Sequence, residues 1–192
     1  ITGSTEGIYI GLNSNPQITG NNLIAANTTG IYIIGTNTVA NAAQLPAPEI
    51  HGNRLLGNTS KNLFSDAFGV GNTKVIQAQG NWWGTTDALT ISASIRDRKD
   101  DTDAPYVDFT GFLNAAGGTP ASTETPLYGA ITQNSTLPAG SYLMLGDIAI
   151  NPNITWTLSP GVVIRAAKGR KILVPSTATL QVNGSGTQRV QL

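Results

Sequence analysis

The feature that most restricts this chain is a frame that returns along it. Three segments carry it: Ile18-Thr19-Gly20-Asn21-Asn22-Leu23, Ile50-His51-Gly52-Asn53-Arg54-Leu55 and Gly80-Asn81-Trp82-Trp83. Superposing their Gly-Asn pairs puts Asn21, Asn53 and Asn81 in one column and Leu23, Leu55 and Trp83 in a second. Ile18, Ile50 and Ala78 make a third. Gly7-Ile8-Tyr9-Ile10 also returns, 23 residues later, as Gly30-Ile31-Tyr32-Ile33. Self-similarity at such a period, with short β-branched runs between Gly/Asn corners, marks parallel strands stacked in register. Gly and Asn adopt the left-handed angles of tight corners at little cost. An Asn recurring at one corner can bond its amide to the Asn above and below it.

The apolar runs are three or four residues long and rich in Ile, Val, Thr and Tyr, the choice of short strands. No window sustains the 3.6-residue period that a helical repeat requires. The expected class is therefore all-β, a parallel β-helix solenoid. Residues 1–84 read as the C-terminal coils of a first β-helix, with Asn21, Asn53 and Asn81 as its structural ladder. The intervals along that ladder, 32 and 28 residues, are unequal, and the surplus falls in the Thr/Asn/Ala/Pro stretch Gly35 to Ala47, a loop at a corner. Alternation along a strand points Trp83 inward and Trp82 outward against the segment that follows.

That segment, residues 85–125, is expected to close the stack. Thr86 to Arg96 reads as a short helix with Thr86 or Asp87 as N-cap, and Ile91 and Ile95 share a stripe with Ala88. Laid over the last coil, it would cover bare core and unpaired edges. An acidic loop, Asp97 to Asp103, precedes a strand at Tyr106 to Phe109, and Ala115 to Pro126 reads as a linker. Residues 126–192 read as the opening coils of a second β-helix. Ile148 to Leu158 aligns with Ile172 to Val182 at a shift of 24, giving inward columns Ile150/Val174, Ile154/Ala178, Trp156/Leu180 and Leu158/Val182. Ile1 opens in mid-pattern and the second array breaks off at Leu192, so an internal piece of a longer chain is expected.

Charge separates the same three segments. Residues 1–84 are net neutral, 85–125 carry −4 and 126–192 carry +4, within a chain of net charge zero. Charged residues make up 11% of the chain, against roughly 25% in typical domains. A neutral, Asn/Thr-rich surface suits a secreted β-protein and offers nucleic acid no bulk attraction. There is no cysteine, which excludes disulfides and thiol chemistry. No apolar run approaches the roughly 20 residues of a membrane span.

Asn81-Trp82-Trp83-Gly84, the spaced isoleucines before Arg96-Asp97, the acidic loop, and Val107-Asp108-Phe109 with Phe112-Leu113 carry a more specific likeness. Together they resemble the closing segment of right-handed parallel β-helix proteins of the pectin-lyase-like superfamily. The similarity is strongest to large secreted or cell-surface members from bacteria and archaea, and it covers residues 7–113. It implies a right-handed coil and an extracellular setting. It does not select an activity, because the superfamily holds polysaccharide lyases and hydrolases, tailspikes, adhesins and scaffolds without catalysis.

Chemistry on polysaccharides needs clustered charge. Hydrolases pair two carboxylates; lyases use a base, with Ca²⁺ on several carboxylates to neutralise the uronate. Glu6, Glu49 and Asp66 share no repeat column, and Asp147 stands alone in the second stack, so no catalytic residue is nominated. Asp97, Asp100, Asp101 and Asp103 are weak calcium candidates, for which Arg96, Arg98 and Lys99 are the competing partners. His51, the one histidine, falls in an outward column. Trp82, Arg165, Lys168, Arg170 and Lys171 are weak candidates for glycan contact, and Tyr9, Tyr32 and Trp156 supply further rings. Sequons occur at Asn27, Asn58, Asn134, Asn153 and Asn183. The expected function is a non-catalytic scaffold segment of an extracellular or cell-surface protein, without cofactor. It would be partnered by copies of itself or by neighbouring domains, and open edges would favour a filament or layer. The alternative is a carbohydrate-binding or polysaccharide-degrading module.

Overall fold

The structure is a computed structural model that describes residues 1–192 except Asn21, 38–42, Ser122 and 167–168. The described residues form seventeen strands and one short helix, and the named strands pair in parallel. The chain divides into two compact units, Ile1–Thr123 and Glu124–Leu192.

In the first unit the chain visits three sheets in rotation. The first sheet is built from β1 (Glu6–Ile10), β4 (Thr29–Ile34), β7 (Lys61–Asp66) and β9 (Ile95–Arg96) in that order. The second holds β2 (Gln17–Thr19), β5 (Glu49–His51), β8 (Val75–Gln77) and β10 (Tyr106–Asp108). The third pairs β3 (Leu23–Ala25) with β6 (Arg54–Leu56), and a parallel bridge from Arg54 to Trp82 extends it. Register fixes which side chains face the core. Ile8, Ile31, Leu63 and Ile95 pair in sequence, as do Ile10, Ile33 and Ser65. Ile31, Ile33, Leu63, Ser65 and Ile95 are fully buried. The repeated Gly-Ile-Tyr-Ile therefore records one strand lying over another.

The Gly-Asn frame is offset by one residue. Ile18 pairs with Ile50 and Thr19 with His51, but Leu23 pairs with Arg54 and Ile24 with Leu55. The corner between β2 and β3 thus holds one residue more than the corner between β5 and β6. Leu23 stands in an outward column and is 38% exposed, whereas Ile24 takes the buried place beside Leu55. Leu23 is not a core residue. Asn21 lies outside the described residues, and Asn22 occupies the ladder position assigned to it.

The helix α1 (Ala88–Ala93) starts where Asp87 caps it, its carboxylate accepting the Thr90 amide at 2.9 Å. It ends before Ile95, which lies in β9 under Leu63 and not on the helical stripe. Ala88 and Ile91 are buried as expected. The segment after Trp83 does not simply close the array: β9 adds to β7 and β10 adds to β8, so the sheets continue through it. Trp83 is buried edge-on against Phe109, the ring centroids 6.4 Å apart.

The second unit repeats the scheme with two sheets. β11 (Thr125–Ile131), β13 (Gly140–Ile150) and β15 (Val162–Ala166) form one, with β16 (Ile172–Leu173) also on β13. β12 (Ser135–Leu137), β14 (Thr155–Leu158) and β17 (Thr179–Val182) form the other. The shift of 24 is the observed register, with Ile148 on Ile172, Trp156 on Leu180 and Leu158 on Val182. Trp156 and Leu158 are buried among Ile148, Ile150, Val162 and Ile164. Val174 follows the end of β16 and is exposed, and Val182 is exposed because β17 is paired on one side only among the described residues.

Candidate functional site

In-register parallel strands place equivalent outward side chains one above another at the strand spacing of about 4.8 Å. On the outer face of the first sheet this produces a column of Tyr9, Tyr32, Phe64 and Arg96. The Tyr9 and Tyr32 rings lie 5.6 Å apart and 9° from parallel, and those of Tyr32 and Phe64 lie 4.8 Å apart at 13°. The Arg96 guanidinium ends the column 4.6 Å over the Phe64 ring, a cation–π contact.

Arg96 also links the column to the acidic loop. It pairs with Asp66 at 3.0 Å and Asp101 at 2.9 Å, and donates to the Ser65 carbonyl at 2.9 Å. Asp66, Asp101 and Asp103 each bring a carboxylate oxygen within 4.8 Å of the others. Burial, and then the charges of Asp101 and Asp66, hold the Asp103 carboxyl above its ordinary range. Burial, then Asp66 and Glu6, likewise raise the Tyr32 phenol. Three carboxylates are a donor set suited to a hard cation, but a guanidinium already neutralises two of them.

The four weak calcium candidates do not all converge. Lys99 Nζ holds Asp97 at 3.0 Å and Asp100 at 3.1 Å, and donates to the Ile95 carbonyl at 2.6 Å. Asp101 and Asp103 turn instead toward Asp66, which sequence spacing hid because it lies a full strand upstream. The pairing of Leu63 with Ile95 is what brings it there. Asp97 is buried, and desolvation raises its pKa against the opposing pull of Lys99.

That direction sets a pH dependence. A carboxyl raised in the folded state takes up its proton there more readily than in the unfolded chain. Its contribution is full below the unfolded value of about 3.9 and is lost as pH climbs through the folded value. In Asp97→Asn the fall in urea midpoint as pH rises from about 4 toward neutrality is shallower than in the wild type. Asp103, shifted the same way, retains part of the slope. Parallel pH profiles for the two proteins would rule out this assignment.

Two rows of asparagine hold the corners. Asn22 Nδ2 donates to Asn53 Oδ1 at 2.8 Å, and Asn53 Nδ2 to Asn81 Oδ1 at 3.2 Å. Asn81 Nδ2 ends on the carbonyls of Ile50 and Ala78 at 2.5 and 2.8 Å. The second row, absent from the sequence reading, runs from Asn27 to Asn58 at 3.1 Å and on to Asn62 at 2.9 Å. Its members Asn27 and Asn58 are the first two sequons, and the amide nitrogens a glycan would take are the donors of the row.

The weak candidates for glycan contact do not gather among the described residues. Trp82 is half-buried beside Arg54. Arg165 makes two bonds to the buried Glu124, at 2.6 and 2.8 Å. Arg170 lies 3.3 Å from Asp147, and the Lys171 amide donates to the same carboxylate at 3.2 Å. Lys168 lies outside the described residues. Trp156 is core, and the ring faces of Tyr9 and Tyr32 are turned on one another, which leaves only the outer face of Tyr9 for a sugar. His51 Nδ1 donates to the Gln79 carbonyl at 3.1 Å.

Comparison of the chain with protein-family models, with curated proteins and with solved structures gave no match. Among the described residues no helix is long and apolar enough to cross a membrane.

Proposed function

We propose that the chain is a non-catalytic scaffold segment built as two right-handed parallel β-helix stacks, working outside the cell or on its surface. The observation that carries this reading is the rotation of the first unit through three parallel sheets with Asn22, Asn53 and Asn81 bonded in a row. Each strand of such an array is held by the strands above and below it. A rod of this kind spaces or joins other things without needing a cavity for chemistry. The carboxylates support it too: Asp97 and Asp100 are matched by Lys99, Asp66 and Asp101 by Arg96, and Glu124 by Arg165. Asp103 stands beside Asp66 and Asp101, but the Arg96 guanidinium occupies two of these three carboxylates, which weighs against their use as the acid and base of glycoside hydrolysis.

The test is incubation with polygalacturonate, alginate and neutral glucans. Neither reducing ends nor the ultraviolet absorbance of unsaturated uronate is expected to accumulate, and turnover on any of them would replace the scaffold with an enzyme. A glycan array is expected to be silent as well. Array binding that disappears in Trp82→Ala would favour the carbohydrate-binding alternative.

A further inference from the structure

The five sequons divide by what their amide nitrogens do. Transfer of a sugar replaces one of the two N–H bonds of Asn Nδ2 with a bond to carbon and leaves Oδ1 as an acceptor. Asn27 Nδ2 uses both hydrogens, donating to the Ile1 carbonyl at 3.2 Å and to Asn58 Oδ1 at 3.1 Å. Asn58 Nδ2 does the same toward the Ile24 carbonyl at 3.1 Å and Asn62 Oδ1 at 2.9 Å. Both nitrogens also lie against glycine backbone. A Cβ built on Gly7 would stand 2.9 Å from the first, and one on Gly30 2.7 Å from the second. Neither nitrogen has a hydrogen to give up or room for a ring.

Asn153 differs on each count. It holds the third place of the turn Asn151-Pro152-Asn153-Ile154, closed by the Ile154 amide donating to the Asn151 carbonyl at 3.2 Å. Proline second and a left-handed residue third, with φ 62° here, is the pattern of a type II turn, and Asn takes that angle at little cost. The side chain is exposed and makes no hydrogen bond among the described residues. That exposure belongs to the corner and not to an end of the chain, because β14 has β12 on one side and β17 on the other. The Asn153 amide donates to the Thr177 carbonyl at 3.2 Å, and the Thr155 amide to Asn134 Oδ1 at 2.8 Å. Thr155, the hydroxyl residue of this sequon, alternates with the buried Trp156 and so faces outward. Asn134 and Asn183 border the edge strands β12 and β17, so of the three open sequons only Asn153 has neighbours on both sides.

We propose that Asn153 is an acceptor for an N-linked oligosaccharide and that Asn27 and Asn58 are not. In the transfer, Asn153 Nδ2 bonds to the anomeric carbon of a lipid-pyrophosphate-linked oligosaccharide. The lipid pyrophosphate leaves with the electron pair of the broken C–O bond, and the amide gives up one proton. Thr155 supplies the hydroxyl that makes the segment a sequon. The sugar enters solvent from a turn whose hydrogen bonds are all made by the backbone, so the fold loses none of them. On Asn27 or Asn58 the same reaction breaks the asparagine row. The site rests on the extracellular setting of the scaffold reading, because such transfer accompanies export.

The whole chain is secreted from a glycosylating eukaryotic host behind a signal peptide, with a C-terminal tag carrying an Asn-Gly-Thr sequon as internal standard. Enzymatic release of glycans in heavy-oxygen water converts each occupied Asn to a labelled Asp, which peptide mass spectrometry locates. Label is expected at Asn153 and in the tag, and at neither Asn27 nor Asn58 in protein that circular dichroism shows to be folded. Thr155→Val is expected to remove the label from Asn153 and Thr155→Ser to keep it, a pair that a purely structural role for Thr155 would not separate. The proposal is overturned if the tag is labelled and Asn153 is bare, if Asn27 and Asn58 are labelled as fully as Asn153, or if Thr155→Val keeps the label. A bare Asn153 leaves the scaffold assignment intact, because polysaccharide turnover is what decides that one.

Discussion

Replacing Asn53 with alanine lowers the stability of the first unit by about 4 kcal/mol, the largest effect expected of any polar substitution in the chain. The side chain is fully buried. Its amide nitrogen donates to the Ile18 carbonyl at 2.6 Å, the His51 carbonyl at 3.0 Å and Asn81 Oδ1 at 3.2 Å. Its oxygen accepts the Asn22 backbone amide at 3.3 Å and the Asn22 side chain at 2.8 Å. Truncation strands groups on three successive levels of the stack, and each orphaned buried group costs about 1–3 kcal/mol. The sum is reduced because the exposed Asn22 can turn to water. Asn22→Ala, at the exposed end of the row, is expected to cost about 1 kcal/mol. Urea unfolding followed by tryptophan fluorescence measures both. Equal losses at the two positions would mean that the row is decoration rather than support.

The frame that contains Asn53 was legible in the sequence because its corner glycines have a fixed job. Gly20, Gly52 and Gly80 all adopt positive φ, at 92°, 68° and 63°. What a gapless alignment could not register is one extra residue after Gly20. That single insertion moved the ladder from Asn21 to Asn22 and put Leu23 outside, since a shift of one residue reverses the face of every side chain in a strand. Tyr9 and Tyr32 were found because their strands share Gly-Ile-Tyr-Ile. Phe64 was missed because β7 reads Lys-Asn-Leu-Phe-Ser-Asp and keeps only the pattern of inward aliphatic and outward aromatic. Arg96 was assigned to a helix because Ile91 and Ile95 sit at helical spacing. The Ser94 amide, donating back to the Ile91 and Thr90 carbonyls, ends the helix in time for Ile95 to enter a strand.

The acidic site shows why chemistry was harder to read than architecture. Core columns are written in residue type and repeat from strand to strand of a sheet. The charge partners are single residues brought in from different strands and loops, with no periodicity to mark them. Asp66 reaches Arg96 across paired strands, and Glu124 reaches Arg165 at a separation of 41 residues. Local neutralisation by Lys99, in contrast, was visible because the partners lie within three residues of it.

Gly30→Ala is expected to cost about 3 kcal/mol although it adds only a methyl group. The backbone angle at Gly30 is not the reason, since its φ is not among the positive ones. A Cβ built there would lie 2.5 Å from the Asn62 carbonyl oxygen and 2.7 Å from Asn58 Nδ2. The first atom belongs to the backbone of the neighbouring strand β7 and the second to the hydrogen-bonded asparagine row, so neither can swing aside as a surface side chain would. Room for the methyl comes only from parting β4 from β7 or from breaking the bond between Asn58 and Asn62. Gly7 meets the same geometry one strand earlier in the sheet, 2.6 Å from the Gly30 carbonyl oxygen and 2.9 Å from Asn27 Nδ2. This explains why glycine, and not just the Ile-Tyr-Ile that follows, recurs in the repeated segment. Gly11→Ala is the control, because its Cβ would meet only the Tyr9 ring at an ordinary 3.5 Å. Thermal unfolding is expected to show Gly30→Ala lowered by about 10 °C and Gly11→Ala close to the wild type. A Gly30→Ala protein melting with the wild type would show that the paired strands are not packed at the distance on which the asparagine rows and the aromatic column both depend.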